Sequence, residues 1–174
     1  MYWYVLFVRT GREYMAEQFL KNRLDTNLFM PFIPMLETLF KISGQIRKEI
    51  RPLFPGYIFV ESAIPSIEFM KKMSRVISTR KEVIRILRYG DSTEIALRED
   101  EKNMLLSLCN DDYCIESSRG IMVGDRVYIK EGSLMGKESI IRKINRHKKR
   151  AIIEMNFMGD IRQVSVALEI VEKI

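Results

Sequence analysis

Pro52-Leu53-Phe54-Pro55-Gly56-Tyr57-Ile58-Phe59-Val60 is a proline-glycine break that runs straight into an aromatic strand. Pro55 fixes φ and removes a backbone donor, while Gly56 permits a close approach or a positive φ. Tyr57 to Val60 combines aromatic and β-branched side chains, the types that suit a pleated surface. At a period of two, Tyr57 and Phe59 share one face, and Ile58 and Val60 share the other. One face is expected to enter a core. The other is expected to display a ring pair, as partner surfaces do. Burial of both faces in a sandwich is the competing expectation.

The chain opens on a second apolar, β-prone run, Trp3-Tyr4-Val5-Leu6-Phe7-Val8, followed by Thr10-Gly11-Arg12-Glu13. Thr10 with Glu13 three residues on predicts a capping box, and a helix starting there. Met15, Phe19 and Leu24, flanked by Ala16 and Leu20, predict its apolar stripe. Trp3, Tyr4, Val5, Gly11 and Glu13, then Phe54, Pro55, Gly56 and Tyr57, resemble the NusG family of transcription elongation factors.

Composition fits an ordinary folded protein. Of 174 residues, 47% are hydrophobic and 30% charged, the balance of ordinary globular chains. That length accommodates one domain or two small ones. No apolar run reaches membrane-spanning length, and no export signal is read at the N-terminus, so a cytoplasmic protein is expected. Cys109 and Cys114 are the only cysteines and His147 the only histidine. That set makes no zinc site, and reduced thiols are expected. With no nucleophile-base pairing and no glycine-rich phosphate loop, neither an enzyme nor a cofactor is expected.

The net charge of +6 is concentrated in the last third. Residues 119–174 hold twelve Lys/Arg against seven Asp/Glu, leaving the first 118 residues at +1. Arg142 to Arg150 carries six cations and no acid. A local phosphate-binding surface accounts for that, whereas an evenly charged surface does not.

Along the first 109 residues, helices and strands alternate. Residues 28–41 read as an edge or irregular strand, because Pro31 and Pro34 interrupt it. Residues 42–48 read as a loop or hairpin tip, and 49–60 as the aromatic strand. Pro65 marks a helix start, with Ile67, Phe69, Met70, Met73, Val76 and Ile77 at helical spacing. Residues 83–87 form a short strand. Arg98-Glu99-Asp100-Glu101 places acids at a helix start, with Leu97, Met104, Leu105 and Leu108 facing the core. The methionines are read as core filling. The fold class is α+β.

Residues 110–120 form a polar break, read as a linker. Beyond it only short strands are expected, at 126–129, 139–144, 151–157 and 161–168, with a last piece at 169–171. Glycines 120, 124, 132, 136 and 159 fall between them, as in a small five-stranded, SH3-like barrel. Gly124-Asp125-Arg126-Val127-Tyr128-Ile129 followed by Gly132 resembles the opening of a KOW motif. Where that motif usually has glycine before its second strand's apolar pair, this chain has Ser139.

The resemblance implies an NGN-type α/β sandwich domain at 1–109, a linker at 110–120 and a KOW barrel at 121–174. It implies that the first domain binds the clamp helices of RNA polymerase's largest subunit, through Phe7, Phe54, Tyr57 and Phe59, with Trp3 in the core. The basic cluster, with Lys130 and Lys137 on a neighbouring loop, is read as an RNA-binding surface. Its residues are Arg142, Lys143, Arg146, His147, Lys148, Lys149 and Arg150. Within the family this combination is similar to the LoaP branch, operon-targeted antiterminators that recognise a leader RNA hairpin. A monomer without membrane contact is expected. Two alternatives stay open. One is a general elongation or termination factor whose barrel recruits proteins, with Phe157-Met158 as its apolar contact. The other is a ribosome-associated RNA-binding protein.

Overall fold

The structure, a computed structural model, describes residues 1–174. It divides into two compact units, Met1–Pro34 with Phe54–Lys102, and Met35–Leu53 with Asn103–Ile174. No helix is long and apolar enough to cross a membrane.

The first unit is built on the two segments that opened the sequence argument. β1 (Tyr2–Val8) and β5 (Tyr57–Ser62) pair antiparallel, with Val5 opposite Phe59 and Phe7 opposite Tyr57. β2 (Phe29–Phe32) and β6 (Val83–Ile86) complete a four-stranded sheet in the order β2-β5-β1-β6. Pro31 is tolerated because β2 is an edge strand. α1 (Glu13–Arg23) buries Ala16 and Leu20, and α2 (Ser66–Ile77) buries Phe69 and Met73. The Phe69 ring stacks on Tyr4 at 3.7 Å between centroids, at an interplanar angle of 19°. Such a pair adds about 1 kcal/mol beyond the area it buries.

Several expectations change here. Thr10 caps nothing; α1 has no side-chain cap at its start. Its buried face is Glu13, Ala16 and Leu20, while Met15 is exposed and Phe19 and Leu24 are half-buried. In α2, Ile67 and Met70 point to solvent, so Met15 and Met70, unlike Met73, do not fill the core. Pro65 does stand at the helix start, as the N-cap.

The second unit has two sheets. Residues 42–48 are a hairpin tip only at Ser43-Gly44, which have φ of 50° and 82°. Two consecutive positive φ values make a type I′ turn, whose twist matches its flanking strands. Those strands are β3 (Met35–Ile42) and β4 (Gln45–Pro52), and β7 (Cys114–Ile115) lies parallel to β3. The run 28–41 is therefore two strands in different sheets, divided at Ile33-Pro34. Residues 110–120, read as a linker, hold β7 and the start of β8 (Ser118–Val123). α3 (Glu99–Leu108) starts with its three acids, but Glu101 is buried and accepts the Tyr89 hydroxyl.

β9 (Arg126–Glu131), β10 (Ile141–Asn145), β11 (Arg150–Phe157) and β12 (Asp160–Lys173) complete a five-stranded sheet, ordered β10-β11-β12-β8-β9. Five strands were expected, but β8 takes the place of a separate last piece, which merges into the long β12. Residues 138–140 form a 3₁₀ turn instead of opening β10.

Candidate functional site

Phe54 to Tyr57 is a tight turn in which the Tyr57 N–H donates to the Phe54 carbonyl at 3.2 Å. Pro55 holds its second position and Gly56, at φ 88°, its third. That is the residue order of a type II turn, and it explains why proline and glycine stand side by side. The Gly56 carbonyl accepts the Val8 N–H at 2.8 Å, and its own N–H donates to the Glu13 carboxylate at 2.6 Å. The turn is thus fastened to both β1 and α1.

What this turn presents differs from the expectation for two residues. Phe59 is 0% exposed and Phe54 only 6%. Their rings stack at 6.3 Å, and Phe59 also meets Trp3 and Phe32 edge-on or tilted. Period two did place Phe59 on the Tyr57 face, but Trp3, Phe32 and Phe54 close over it. Phe54 and Phe59 are core, not surface. Trp3 is core as expected, with its indole N–H donating to Glu61 at 2.7 Å.

Phe7 and Tyr57 are half-buried at the turn end of this cluster, with ring centroids 5.5 Å apart. The Arg85 guanidinium lies 5.6 Å from the Phe7 centroid. Sequence reading missed Arg85, and it gave Glu13 to a capping box instead of to the Gly56 N–H. The β1–β6 register brings Arg85 opposite Phe7, and the buried carboxylate gives Glu13 away only once Gly56 is near.

The basic cluster folds into the β10–β11 hairpin. Its tip is Arg146 to Lys149, closed by the Lys149 N–H donating to the Arg146 carbonyl at 3.2 Å. Asn145 Oδ1 accepts the Lys148 N–H at 2.9 Å, and Lys149 takes a positive φ of 48°. Arg146, His147 and Lys148 are exposed, and no carboxylate pairs with them. Lys143 and Arg150 are exposed on the flanking strands.

Two predicted residues are already engaged. Lys149 Nζ pairs with Glu169, and Arg142 Nε pairs with Glu154 at 3.0 Å. Hydrogen bonds from Arg142 and Gln163 hold the Glu154 carboxyl below its usual range. Lys130 lies within β9 rather than on a loop, Lys137 lies in the β9–β10 connection, and neither is part of this tip. Phe157 and Met158, the candidate protein contact, are 3% and 8% exposed, whereas Ile161 beside them is 69% exposed.

The chain thus carries a half-buried ring pair in one unit and a cationic hairpin tip in the other. The model of the NusG family, described as transcription termination factor nusG, matches residues 1–106. The chain belongs to the NusG family of transcription factors. It is 22% identical to the transcription termination/antitermination protein NusG of Borreliella burgdorferi, over 99% of this chain and 98% of that protein. A solved structure described as "Domain interaction in Thermotoga maritima NusG" has a similar fold, with a TM-score of 0.54 at 17% identity. It covers 97% of this chain and 93% of the other.

Proposed function

We propose that this chain is a specialised NusG-type factor that binds RNA polymerase and promotes processive, antiterminated elongation from a structured leader RNA. The observation that carries the reading is the β10–β11 tip, where Arg146, His147 and Lys148 stand exposed with no acid beside them. Phosphate contacts need unpaired cations, and a turn can present them to a folded RNA by shape. Phe7 and Tyr57 are the proposed polymerase contact, docking against the clamp helices of the largest subunit. Rigid rings backed by a packed aromatic core lose little entropy on binding, as interface anchors do. The buried Phe54 and Phe59 take a supporting role and hold the pair in place from below.

The test is transcription by the cognate polymerase across a terminator, with and without the natural leader. Read-through that needs the leader supports the proposal. Read-through that ignores it favours a general elongation factor whose barrel recruits proteins, for which Ile161 is one exposed apolar side chain. Arg146→Glu with Lys148→Glu is expected to remove leader dependence while leaving polymerase association intact. Phe7→Ala with Tyr57→Ala is expected to abolish polymerase association while leaving leader-RNA binding intact. Loss of both activities in either double variant contradicts the division of labour.

A further inference from the structure

We infer that β4 is a self-association edge, and that two copies of this chain pair antiparallel through it about a two-fold axis at Lys48. The argument is independent of the polymerase and RNA readings. β4 ends the sheet order β4-β3-β7, and residues 41–51 are exposed throughout. Ile46 and Ile50 are 48% and 57% exposed, so apolar surface stands along an open strand edge. Open edges of this kind invite another strand.

The hairpin register determines which backbone groups are open. A two-residue turn makes its flanking residues, Ile42 and Gln45, a hydrogen-bonded pair, and such pairs then alternate along the ladder. Arg47, Glu49 and Arg51 therefore turn their N–H and C=O toward β3. Ile46, Lys48 and Ile50 turn theirs outward. The other strand agrees: Met35, opposite Pro52, points its N–H away from β4, to the Tyr113 carbonyl at 2.9 Å.

Centring the axis on Lys48 puts Lys48 opposite its copy and Ile46 opposite Ile50 of the second copy. Each of these pairs has outward groups on both sides and exchanges both bonds. The same register sets Arg47 against Glu49 of the second copy, and Glu49 against its Arg47. These are non-hydrogen-bonded pairs, the type in which side chains come closest. Charge and hydrogen bonding therefore select one register together. Glu49 now pairs with Arg51 at 2.9 Å, but both are 53% exposed, and such a pair is readily shared. The repulsion between the two lysines is offset in each copy by Glu37, 3.3 Å from Lys48 Nζ. Centring on Ile50 instead sets Pro52, which has no N–H, against Lys48 and loses bonds. The contact is isologous and uses up both edges, so it closes at a dimer.

The test is sedimentation equilibrium of the full chain, with circular dichroism confirming that each variant folds. Wild type is expected to show a monomer–dimer equilibrium. Arg47→Glu and Glu49→Arg are each expected to reduce self-association about tenfold or more, since two attractive pairs become repulsive. An equimolar mixture of these two variants restores opposite charges and is expected to recover wild-type association. In the dimer, amide exchange should slow at Ile46, Lys48 and Ile50 and not at the residues between. A wild type that stays monomeric up to its solubility limit overturns the inference. So does an Arg47→Glu variant that associates normally, or a mixture without recovery.

Discussion

The Glu13 carboxylate and the Gly56 N–H, 43 residues apart in sequence, meet in a buried hydrogen bond of 2.6 Å. Glu13 is 3% exposed, so this bond replaces its hydration. The first turn of α1 and the turn that opens β5 are held by the same pair of atoms. Glu13→Ala leaves the Gly56 donor buried without a partner, a loss of about 1.5–3 kcal/mol for a bond to a charged group. Glu13→Gln keeps an acceptor and is expected to lose less. Urea unfolding of the two variants checks this order; equal losses would mean that packing, not the bond, matters.

Gly56 is constrained from a second side. Its φ of 88° disfavours any side chain, and an added Cβ would lie 3.2 Å from Thr10 Oγ1 and 3.4 Å from the Phe7 ring. Gly56→Ala is expected to cost about 1–2 kcal/mol in backbone strain and to push Phe7 off its place beside Tyr57. In a polymerase pull-down this variant should bind more weakly while its far-UV spectrum stays native. Unchanged binding would show that the position of the Phe7 ring is unimportant.

The proline-glycine turn was legible because its residues carry their own backbone instructions. The pairing of β1 with β5 placed Tyr57 and Phe59 on one face, again as period two requires. Which of the two rings stays open was not legible. That depends on Trp3, Phe32 and Phe54 converging from other elements, and strand periodicity says nothing of what covers a face. The same limit hid the fate of Thr10 and Glu13: a capping box needs only local spacing, but Glu13 found a stronger donor in Gly56. In the basic cluster the cations were visible and their neighbours were not. Glu169 and Glu154 come from distant positions and take Lys149 and Arg142 out of play.

That neutralisation separates two adjacent lysines. Lys148 is exposed at the tip, whereas Lys149 is half-buried and paired with Glu169. Lys148→Glu is expected to weaken RNA binding and lower its salt dependence by roughly one phosphate contact, with the melting temperature unchanged. Lys149→Glu faces Glu169 with a like charge and is expected to destabilise the chain by about 1 kcal/mol. Filter binding over a salt series and thermal melts distinguish the two. Matching profiles for both variants would refute the separation.

Burial, with a smaller contribution from Cys114, pushes the Cys109 thiol up to about 12, and burial also raises Cys114. Both thiols are thus held protonated, and the thiolate is the reactive form. A disulfide-exchange reagent at mildly alkaline pH is expected to label the native protein far more slowly than the urea-unfolded chain. Because these folded values are raised, the associated stability is present at neutral pH and is lost as pH rises past the ordinary thiol range. Rapid native labelling would show that the α3–β7 connection opens readily.

Glu37 titrates in the opposite sense. Burial alone would raise its carboxyl, but the Ser117 N–H at 2.7 Å and the Lys48 ammonium bring it below the ordinary glutamate value. A depressed folded value stabilises the chain above the unfolded pKa, and that stability disappears as pH falls through the folded one. Glu37→Gln is therefore expected to be less stable than wild type near neutrality, by about 1.5 kcal/mol for a bond to a charged acceptor. The gap should close as the solution is acidified below the ordinary glutamate range, because wild type then carries a neutral side chain too. Urea unfolding across a pH series measures that gap. If it stays constant into strong acid, the charge on Glu37 contributes nothing, and shape alone joins β3 to the segment before β8.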